Sequence, residues 1–262
     1  MMKKTVKKFK LKKNEFKLRD FPFKDYQIVQ ISDLHLGFGT LSGTVKQLVH
    51  QVLDVSPDLV VITGDLLEGD IYTLKQEIKI FKELTNQIDT YFILGNHDCQ
   101  YNLVSKVLEL LQSLNIKVLI NESIWVGDSK QGFNLAGVTD YVAIRYGYNY
   151  PKEFRPNIEN SLKDIKQDFP TILLSHRPIK RYTEKKYNVD LTISGHIHGG
   201  QIYPFGYFIL LLKEDSGEKL YIRTKKIDKN RYIHVSKGLG VTRLPFRVFV
   251  AKELNLITIN PI

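Results

Sequence analysis

Three times within the first 115 residues, a short apolar strand is followed by a polar loop and then by a helix. The strands are runs of β-branched and aromatic residues, and each helix has apolar residues at helical spacing. The strands cover 26–32, 59–63 and 91–94, and the helices cover 41–55, 71–87 and 101–114. Strands that alternate with helices in this way form parallel sheets. The first half of the chain is therefore predicted to be an α/β unit built on a mostly parallel sheet.

The second half of the chain is richer in short strands and has one clear helix, at 158–167. A chain of 262 residues fits one large domain or two small ones. We predict a single α/β domain at 25–262, with two sheets packed face to face and helices outside. The six strands predicted in this half are 133–138, 172–175, 189–194, 219–223, 232–236 and 256–260.

Polar side chains of the types that can bind metals follow five of the predicted strands, at the points where the strands end. Ligands of open α/β sheets bind beyond the carboxyl ends of the strands, so these side chains are expected to converge. Of the seven histidines in the chain, only His50 and His234 fall outside this set, and both are predicted to be structural. The set is Asp33, His35, Asp65, Asn96, His97, Asp98, His176, His196 and His198.

Imidazole, carboxylate and amide ligands without a thiolate suit Mn²⁺, Fe or Zn²⁺ better than an all-oxygen Mg²⁺ or Ca²⁺ site. The single cysteine, Cys99, excludes a cysteine-based metal cluster and is predicted to be a small buried hydrophobe. The donors are too many for one tetrahedral ion and suit two ions that share a bridge. Two such ions can promote in-line phosphoryl displacement by a hydroxide.

In order and spacing, these five blocks resemble the signature of the calcineurin-like metallophosphoesterases. The blocks are Asp33-x-His35, Gly64-Asp65, Gly95-Asn96-His97-Asp98, His176 and Gly195-His196-x-His198. The resemblance implies a four-layer αββα sandwich of two mixed β-sheets. It also implies a phosphoester hydrolase that uses two divalent cations, with Mn²⁺ the leading candidate.

The resemblance assigns a role to each residue of the signature. It implies that His97 protonates the leaving group or stabilises charge on the phosphoryl oxygens, and that Asp98 orients His97 through a hydrogen bond. The metal ligands that it implies are Asp33, His35 and His198 for the first ion, Asn96, His176 and His196 for the second, and Asp65 as the bridge.

Residues downstream of the last histidine resemble a narrower bacterial subgroup of envelope phosphodiesterases. The similar segments are 199–201, 204–205, 236–240 and 245–247. The subgroup includes enzymes that cleave the pyrophosphate of UDP-2,3-diacylglucosamine in lipid A synthesis. A membrane-associated nucleotide-lipid is therefore the leading expected substrate. Arg247 is predicted either to bind the substrate phosphate or to form a local salt bridge.

The net charge of +10 is uneven, because residues 1–24 hold ten Lys and Arg against two acidic residues. This segment is predicted to be an edge strand guarded by lysines, a basic arm that touches anionic lipid, or both. A nucleic-acid footprint over the whole domain is not expected. Because no apolar signal region follows the lysines, a cytoplasmic location is expected, with possible peripheral contact at the inner face of the membrane.

The apolar segment 203–212 allows two interpretations. It could be a buried strand, or it could be an exposed segment beside the site that enters a bilayer or holds acyl chains. It is too short to span a membrane, which takes about 20 residues.

Two alternative functions stay open. A soluble phosphodiesterase or phosphatase acting on nucleotides would use the same metal chemistry. A non-catalytic interaction module could use the same scaffold, although the presence of all seven ligand positions favours an enzyme.

Overall fold

The computed structural model describes residues 9–38, 43–69, 71–99, 104–141, 152–212 and 219–262. In these residues the chain forms two six-stranded sheets. The strands of the first sheet, in spatial order, are β1 (Lys10–Leu18), β12 (Glu253–Pro261), β2 (Tyr26–Ile31), β3 (Leu59–Ile62), β4 (Thr90–Phe92) and β5 (Lys117–Val118).

The second sheet begins and ends with antiparallel pairs and is parallel between them. In the first sheet β2 to β5 are parallel, whereas β12 runs antiparallel to β2. Both sheets are therefore mixed, as the fold class requires. The strands of the second sheet, in spatial order, are β10 (Lys225–Lys226), β11 (Tyr232–Val235), β9 (Leu191–Ser194), β8 (Thr171–Ser175), β7 (Gly132–Val138) and β6 (Glu122–Gly127).

Six α-helices lie in the described residues, and none of them is long and apolar enough to cross a bilayer. The first four belong to the half of the chain that builds the first sheet. The helices are α1 (Thr44–Val55), α2 (Ile71–Ile78), α3 (Phe81–Thr85), α4 (Val104–Ser113), α5 (Ile158–Leu162) and α6 (Phe205–Leu212).

Strand alternation divides the core into layers. On β2, Val29 and Ile31 pack in the cluster that includes α1, whereas Ile28 packs in the cluster that joins the two sheets. A third cluster covers the outer face of the second sheet and contains Leu162 of α5 and Leu173 of β8. Because successive side chains of a strand point to opposite faces, each sheet is buried on both sides. The predicted αββα sandwich is confirmed.

The N-terminal basic segment contributes an edge strand. From Lys10 to Leu18, β1 pairs in parallel with β12 at one end of the first sheet. Phe16 and Leu18 are buried in the core between the sheets, while Lys12 and Lys17 are exposed. Lysines on an edge strand discourage pairing with another chain. Residues 1–8 lie outside the described part.

Several predicted elements differ from the observed ones. The segment 219–223 is not a strand, because Leu220 makes only an isolated bridge to Ile179. The predicted helix 71–87 divides into α2 and α3, and the helix 158–167 ends at Leu162. The first residues of the predicted helix 101–114 lie outside the described residues. The segment 203–212 is a helix from Phe205 rather than a strand, so the buried-strand interpretation is wrong.

Candidate metal centre

The loops that carry the candidate ligands leave the carboxyl ends of five parallel strands, and their backbone is strained. Five predicted ligands have positive φ angles between 46° and 72°, a region that residues with a Cβ seldom adopt. Such strain persists where the surrounding structure fixes it, and it concentrates at functional sites. The five are Asp33, His35, Asp65, His196 and His198.

The first group of donors comprises Asp33, His35 and His198, all buried. Nε2 of His35 lies 3.0 Å from Nε2 of His198, and the latter atom lies 3.6 Å from Oδ1 of Asp33. The backbone N–H of His196 donates to both carboxylate oxygens of Asp33, at 3.0 and 3.1 Å. A Cβ at position 195 would overlap the Asp33 carboxylate, so Gly195 allows this close approach.

The second group comprises Asp65, His176 and His196, with Asn96 beside them. Nε2 of His176 lies 3.3 Å from Oδ2 of Asp65, 3.1 Å from Oδ1 of Asn96 and 3.2 Å from Nδ1 of His196. Nδ1 of His176 is 2.8 Å from the carbonyl oxygen of Thr63, to which it donates. That hydrogen bond turns the other ring nitrogen toward the oxygen and nitrogen donors.

Asp65 belongs to both halves of the site. Its Oδ2 atom lies 3.5 Å from Nε2 of His35 and 3.3 Å from Nε2 of His176. Its other oxygen accepts a hydrogen bond of 2.8 Å from the backbone N–H of His97, which fixes the carboxylate. Asp65 is therefore placed where one carboxylate can contact two cations.

The electrostatics of the second group call for a positive charge. Burial by itself would lower the pKa of His176, but the carboxylates of Asp65, Asp33 and Asp140 raise it to about 10. The pKa of Asp65 is held well below its usual range by His176, His35 and His97, against the opposing effect of burial. The carboxylates would stabilise either a proton or a metal cation here, and the donor set suits Mn²⁺, Fe or Zn²⁺. The residues present therefore fit a divalent cation.

His97 forms a further group of potential metal donors with His35 and Asp65, and it is partly exposed, at 19%. Its ring packs edge-on against His35, with 4.7 Å between the ring centroids. Burial and the neighbouring His35 lower the pKa of His97, despite the opposing effect of Asp65. A lowered pKa makes the protonated form of His97 a stronger acid, so the imidazolium can give its proton to an incoming group.

Glu68 is a site residue that the sequence motifs do not include. Its Oε2 atom lies 2.6 Å from Nδ1 of His35, and Oε1 lies 3.6 Å from Nδ1 of His97. The side chain follows β3 by a few residues in the same loop as Asp65. Its position three residues after Asp65 was the only sequence signal available, and an acidic residue in a loop is by itself common.

The predicted contact between Asp98 and His97 is wrong. Asp98 is buried, and its carboxylate instead accepts backbone N–H bonds from Asp65 at 2.7 Å, Leu66 at 3.0 Å and Gly95 at 2.8 Å. Burial and the Asp65 carboxylate raise the pKa of Asp98 to about 6. Asp98 therefore ties the loops after β3 and β4 together, because a buried carboxylate requires donors and these loops supply them.

Arg247 reaches the site from the C-terminal part of the chain. Its Nη2 atom lies 3.0 Å from Nδ1 of His198 and donates to the carbonyl oxygen of Gly240 at 2.6 Å. Burial lowers the pKa of Arg247 to about 10. Burial also lowers the pKa of His198 to about 3, and the positive charges of His35 and Arg247 act in the same direction. Within the described residues Nη1 of Arg247 has no hydrogen-bond partner. Contact with a substrate phosphate stays a prediction.

A family model described as calcineurin-like phosphoesterase matches residues 26–200. The chain belongs to this family. The matched residues include all five motif blocks, and the match ends just after the last candidate ligand, His198.

Relatives agree with this assignment, and a solved structure agrees with the fold. A metallophosphoesterase of Helicobacter pylori is 32% identical over 91% of this chain, which spans 60% of that relative's length. A metallophosphoesterase of Aquifex aeolicus is 30% identical over 90% of this chain and 85% of its own length. The fold resembles a 5'-nucleotidase precursor of Thermus thermophilus, with a TM-score of 0.53, 15% identity, and coverage of 88% of this chain and 54% of the other.

Proposed function

We propose that this chain is a metal-dependent phosphodiesterase or pyrophosphatase that holds two divalent cations, one on each side of Asp65. The observation that carries the proposal is the position of Oδ2 of Asp65, 3.5 Å from Nε2 of His35 and 3.3 Å from Nε2 of His176. One carboxylate oxygen thus faces one imidazole from each donor group. A bridged pair of cations explains this arrangement better than two independent sites.

The residues divide the work between holding the metals and handling protons. Bound divalent cations, with Mn²⁺ the first choice and Fe or Zn²⁺ the others, would supply hydroxide near neutral pH and neutralise charge on the phosphoryl oxygens. Asp33, Asp65 and the buried histidines would hold the cations in place. His97, at the open side of the site, can give a proton to the leaving oxygen. Glu68 keeps the His97 and His35 rings in place.

We further propose that the substrate is a membrane-associated nucleotide-lipid such as UDP-2,3-diacylglucosamine. Two observations support a substrate with an apolar part. The helix α6 begins seven residues after His198, and Phe205 and Phe208 on it are 72% and 58% exposed. The cationic side chain of Arg247, which could meet a phosphate, lies beside the candidate ligand His198, with Nη2 3.0 Å from Nδ1 of that ring. A cytoplasmic location stays a prediction.

The test is a metal and substrate panel on the purified chain. Metals are removed with a chelator, Mn²⁺, Fe²⁺ or Zn²⁺ is added back, and hydrolysis is measured on a chromogenic diester, a monoester, cyclic nucleotides and a UDP-linked diacyl lipid. We expect chelation to abolish turnover, one metal to restore it, and the UDP-linked lipid to be the best substrate. Turnover that survives complete metal removal would contradict the metal proposal.

The same panel separates the alternatives. Preference for cyclic or other soluble nucleotides over the UDP-linked lipid would support the soluble phosphodiesterase and contradict the lipid substrate. Binding of two metals without hydrolysis of any member would favour the interaction module. The complete ligand set argues against that outcome.

A further inference from the structure

Exposed apolar side chains are concentrated beside the metal centre. Among the described residues nine large hydrophobic side chains are exposed, and seven of these lie in two segments, 203–209 and 244–249. Their exposed fractions range from 42% to 90%. We call residues 203–210 and 242–249 the apolar platform. Its seven exposed side chains are Tyr203, Phe205, Phe208, Ile209, Leu244, Phe246 and Phe249.

The helix α6 is apolar on both of its faces. Phe205, Phe208 and Ile209, at spacings of three and four, form the face that is exposed to solvent. Leu210 lies on the other side and packs with Ile197 and its neighbours at the edge of the second sheet. A helix that is apolar all round is normally buried in a core or a membrane. The outer face of α6 is therefore exposed to solvent, although its sequence suits an apolar environment.

The two segments of the platform form one supported unit. The backbone N–H of Tyr203 donates to the carbonyl of Val248, and the N–H of Val248 donates to the carbonyl of Gln201, both at 3.0 Å. The Gln201 side chain donates to the carbonyls of Thr242 at 2.9 Å and Leu244 at 3.1 Å, and it accepts from the N–H of Thr242 at 2.9 Å. These bonds hold the exposed side chains of both segments on a fixed backbone.

The C-terminal part of the chain, which contains one segment of the platform, is strongly basic. Residues 219–262 hold ten Lys and Arg against two acidic residues, which gives a net charge of +8. The basic strand β1 lies at the same edge of the sandwich, because Phe16 of β1 contacts Tyr232 of β11 with 5.3 Å between ring centroids. By contrast, residues 25–218 carry a net charge of −6. The exposed cations of residues 219–262 are Lys219, Arg223, Lys225, Lys226, Lys229, Lys237, Arg243 and Lys252.

We propose that the apolar platform docks on the surface of an anionic lipid bilayer. Aromatic and aliphatic side chains would enter the boundary between headgroups and acyl chains, and the surrounding lysines and arginines would contact anionic headgroups. Exposed apolar side chains on a part of the chain with net positive charge suit this occupant, whereas a second copy of the chain would bring the same positive charge against itself.

Docking in this orientation would bring the metal centre to the headgroup layer. Gln201, which anchors the platform, follows His198 by three residues, and Arg247 of the platform contacts the His198 ring. This catalytic consequence rests on the proposed function. Lipid binding itself does not, because it requires neither metal nor turnover.

The experiment is sedimentation of the full chain with sucrose-loaded vesicles of phosphatidylcholine, with or without phosphatidylglycerol. The test variant is the double substitution Phe208→Glu and Phe249→Glu, at side chains that are 58% and 90% exposed. The control is Ile262→Glu, which adds a charge at a side chain that is 70% exposed outside the platform. We expect the wild type and Ile262→Glu to bind the anionic vesicles. The double variant should bind at least about tenfold more weakly, because two apolar side chains no longer enter the lipid.

A second variant tests the charge. Replacing both Lys225 and Lys226 with Glu should weaken binding to anionic vesicles by about tenfold or more and change binding to neutral vesicles little. Circular dichroism and bound-metal content, measured on every variant, show that the fold is intact. If the wild type stays in the supernatant with anionic vesicles at low salt, or if the double variant binds as the wild type does, the proposal is wrong.

Two further measurements separate the possible failures. A wild-type dimer in light scattering that becomes monomeric in the Phe208→Glu, Phe249→Glu variant would assign the platform to a second copy and overturn membrane docking. Hydrolysis of the chromogenic diester by the wild type is measured in parallel. Turnover without vesicle binding contradicts the docking alone, and vesicle binding without turnover contradicts the proposed function alone.

Discussion

Oε2 of Glu68 lies 2.6 Å from Nδ1 of His35, and this contact joins a candidate metal ligand to a residue outside the family motifs. The other oxygen of the same carboxylate is 3.6 Å from Nδ1 of His97. A carboxylate on Nδ1 of a ligating histidine fixes the ring so that Nε2 faces the metal. Glu68 is thus placed to position a ligand and the candidate general acid together.

Replacing Glu68 with Gln should weaken metal binding and slow turnover. The amide keeps the size of the side chain but loses the charge that holds the two imidazoles, so we expect a loss of about 10- to 100-fold in metal affinity or kcat. Calorimetric titration with Mn²⁺ and steady-state kinetics measure the two effects. The matched control is Glu83→Gln, at a side chain that is 54% exposed on α3. Equal behaviour of the two variants would exclude a positioning role for Glu68.

Replacing His97 with Ala should leave metal content unchanged and reduce the rate. The family resemblance gives His97 a role in proton transfer rather than in metal binding, although a ring nitrogen of His97 lies within 4.8 Å of donor atoms of His35 and Asp65. General acid catalysis is worth about 10²- to 10⁴-fold. The loss should be large for a substrate with a poor leaving group and small for a p-nitrophenyl ester, which needs little protonation. His50→Ala, on the exposed face of α1, is the control. Full activity of His97→Ala on the poor leaving group would show that another group donates the proton.

Asp98→Asn should destabilise the protein. The carboxylate accepts backbone N–H bonds from both metal-binding loops, and an amide in its place turns a donor toward some of those N–H groups. We expect a loss of about 3 kcal/mol in the free energy of unfolding, because buried donors lose their partners. Urea denaturation measures it, with Asp164→Asn, at a side chain that is 74% exposed, as the control. A loss no greater than that of the control would contradict the bridging role.

His234 makes stability depend on pH. It is buried in the second sheet, with Nδ1 3.0 Å from Oγ1 of Thr224, and burial lowers its pKa to about 4. In the unfolded chain the pKa is about 6.5. Between these values the unfolded state binds a proton that the native state excludes, so stability falls as the pH falls from about 6.5 to 4. At pH 4 this residue lowers the free energy of unfolding by about 3 kcal/mol relative to its value near pH 7.

Urea unfolding of the wild type and His234→Gln between pH 7 and pH 4.5 measures that contribution. The variant should lose less stability than the wild type over this range, because glutamine does not titrate. Parallel pH profiles would mean that His234 does not cause the dependence.

The first half of the fold could be predicted because apolar residues recur at different spacings in strands and in helices, and because polar residues mark the strand ends. Val29 and Ile31 face one layer while Ile28 faces the other, and the apolar run of β2 therefore signals a strand buried on both sides. The ligands converge because parallel strands bring their carboxyl ends together. Whether these residues bind metals stays a prediction.

The features that could not be predicted depend on tertiary contacts. The run at 203–212 is apolar without alternation, and periodicity cannot separate a buried strand from a helix in so short a segment. Asp98 follows His97 directly, yet its carboxylate turns to the backbone of another loop, which sequence order does not reveal. Glu68 gains its role only because β3 places it against two histidines from other strands.

Anomalous diffraction from crystals grown with Mn²⁺ is the decisive measurement of the metal content. Two strong peaks about 3.5–4 Å apart should flank Oδ2 of Asp65, one within bonding distance of His35 and the other of His176. The Asp65→Ala crystal, grown in the same way, should lose both peaks and the variant should lose turnover. A single peak, peaks away from Asp65, or an unchanged pair in Asp65→Ala would show that this carboxylate does not bridge two metals.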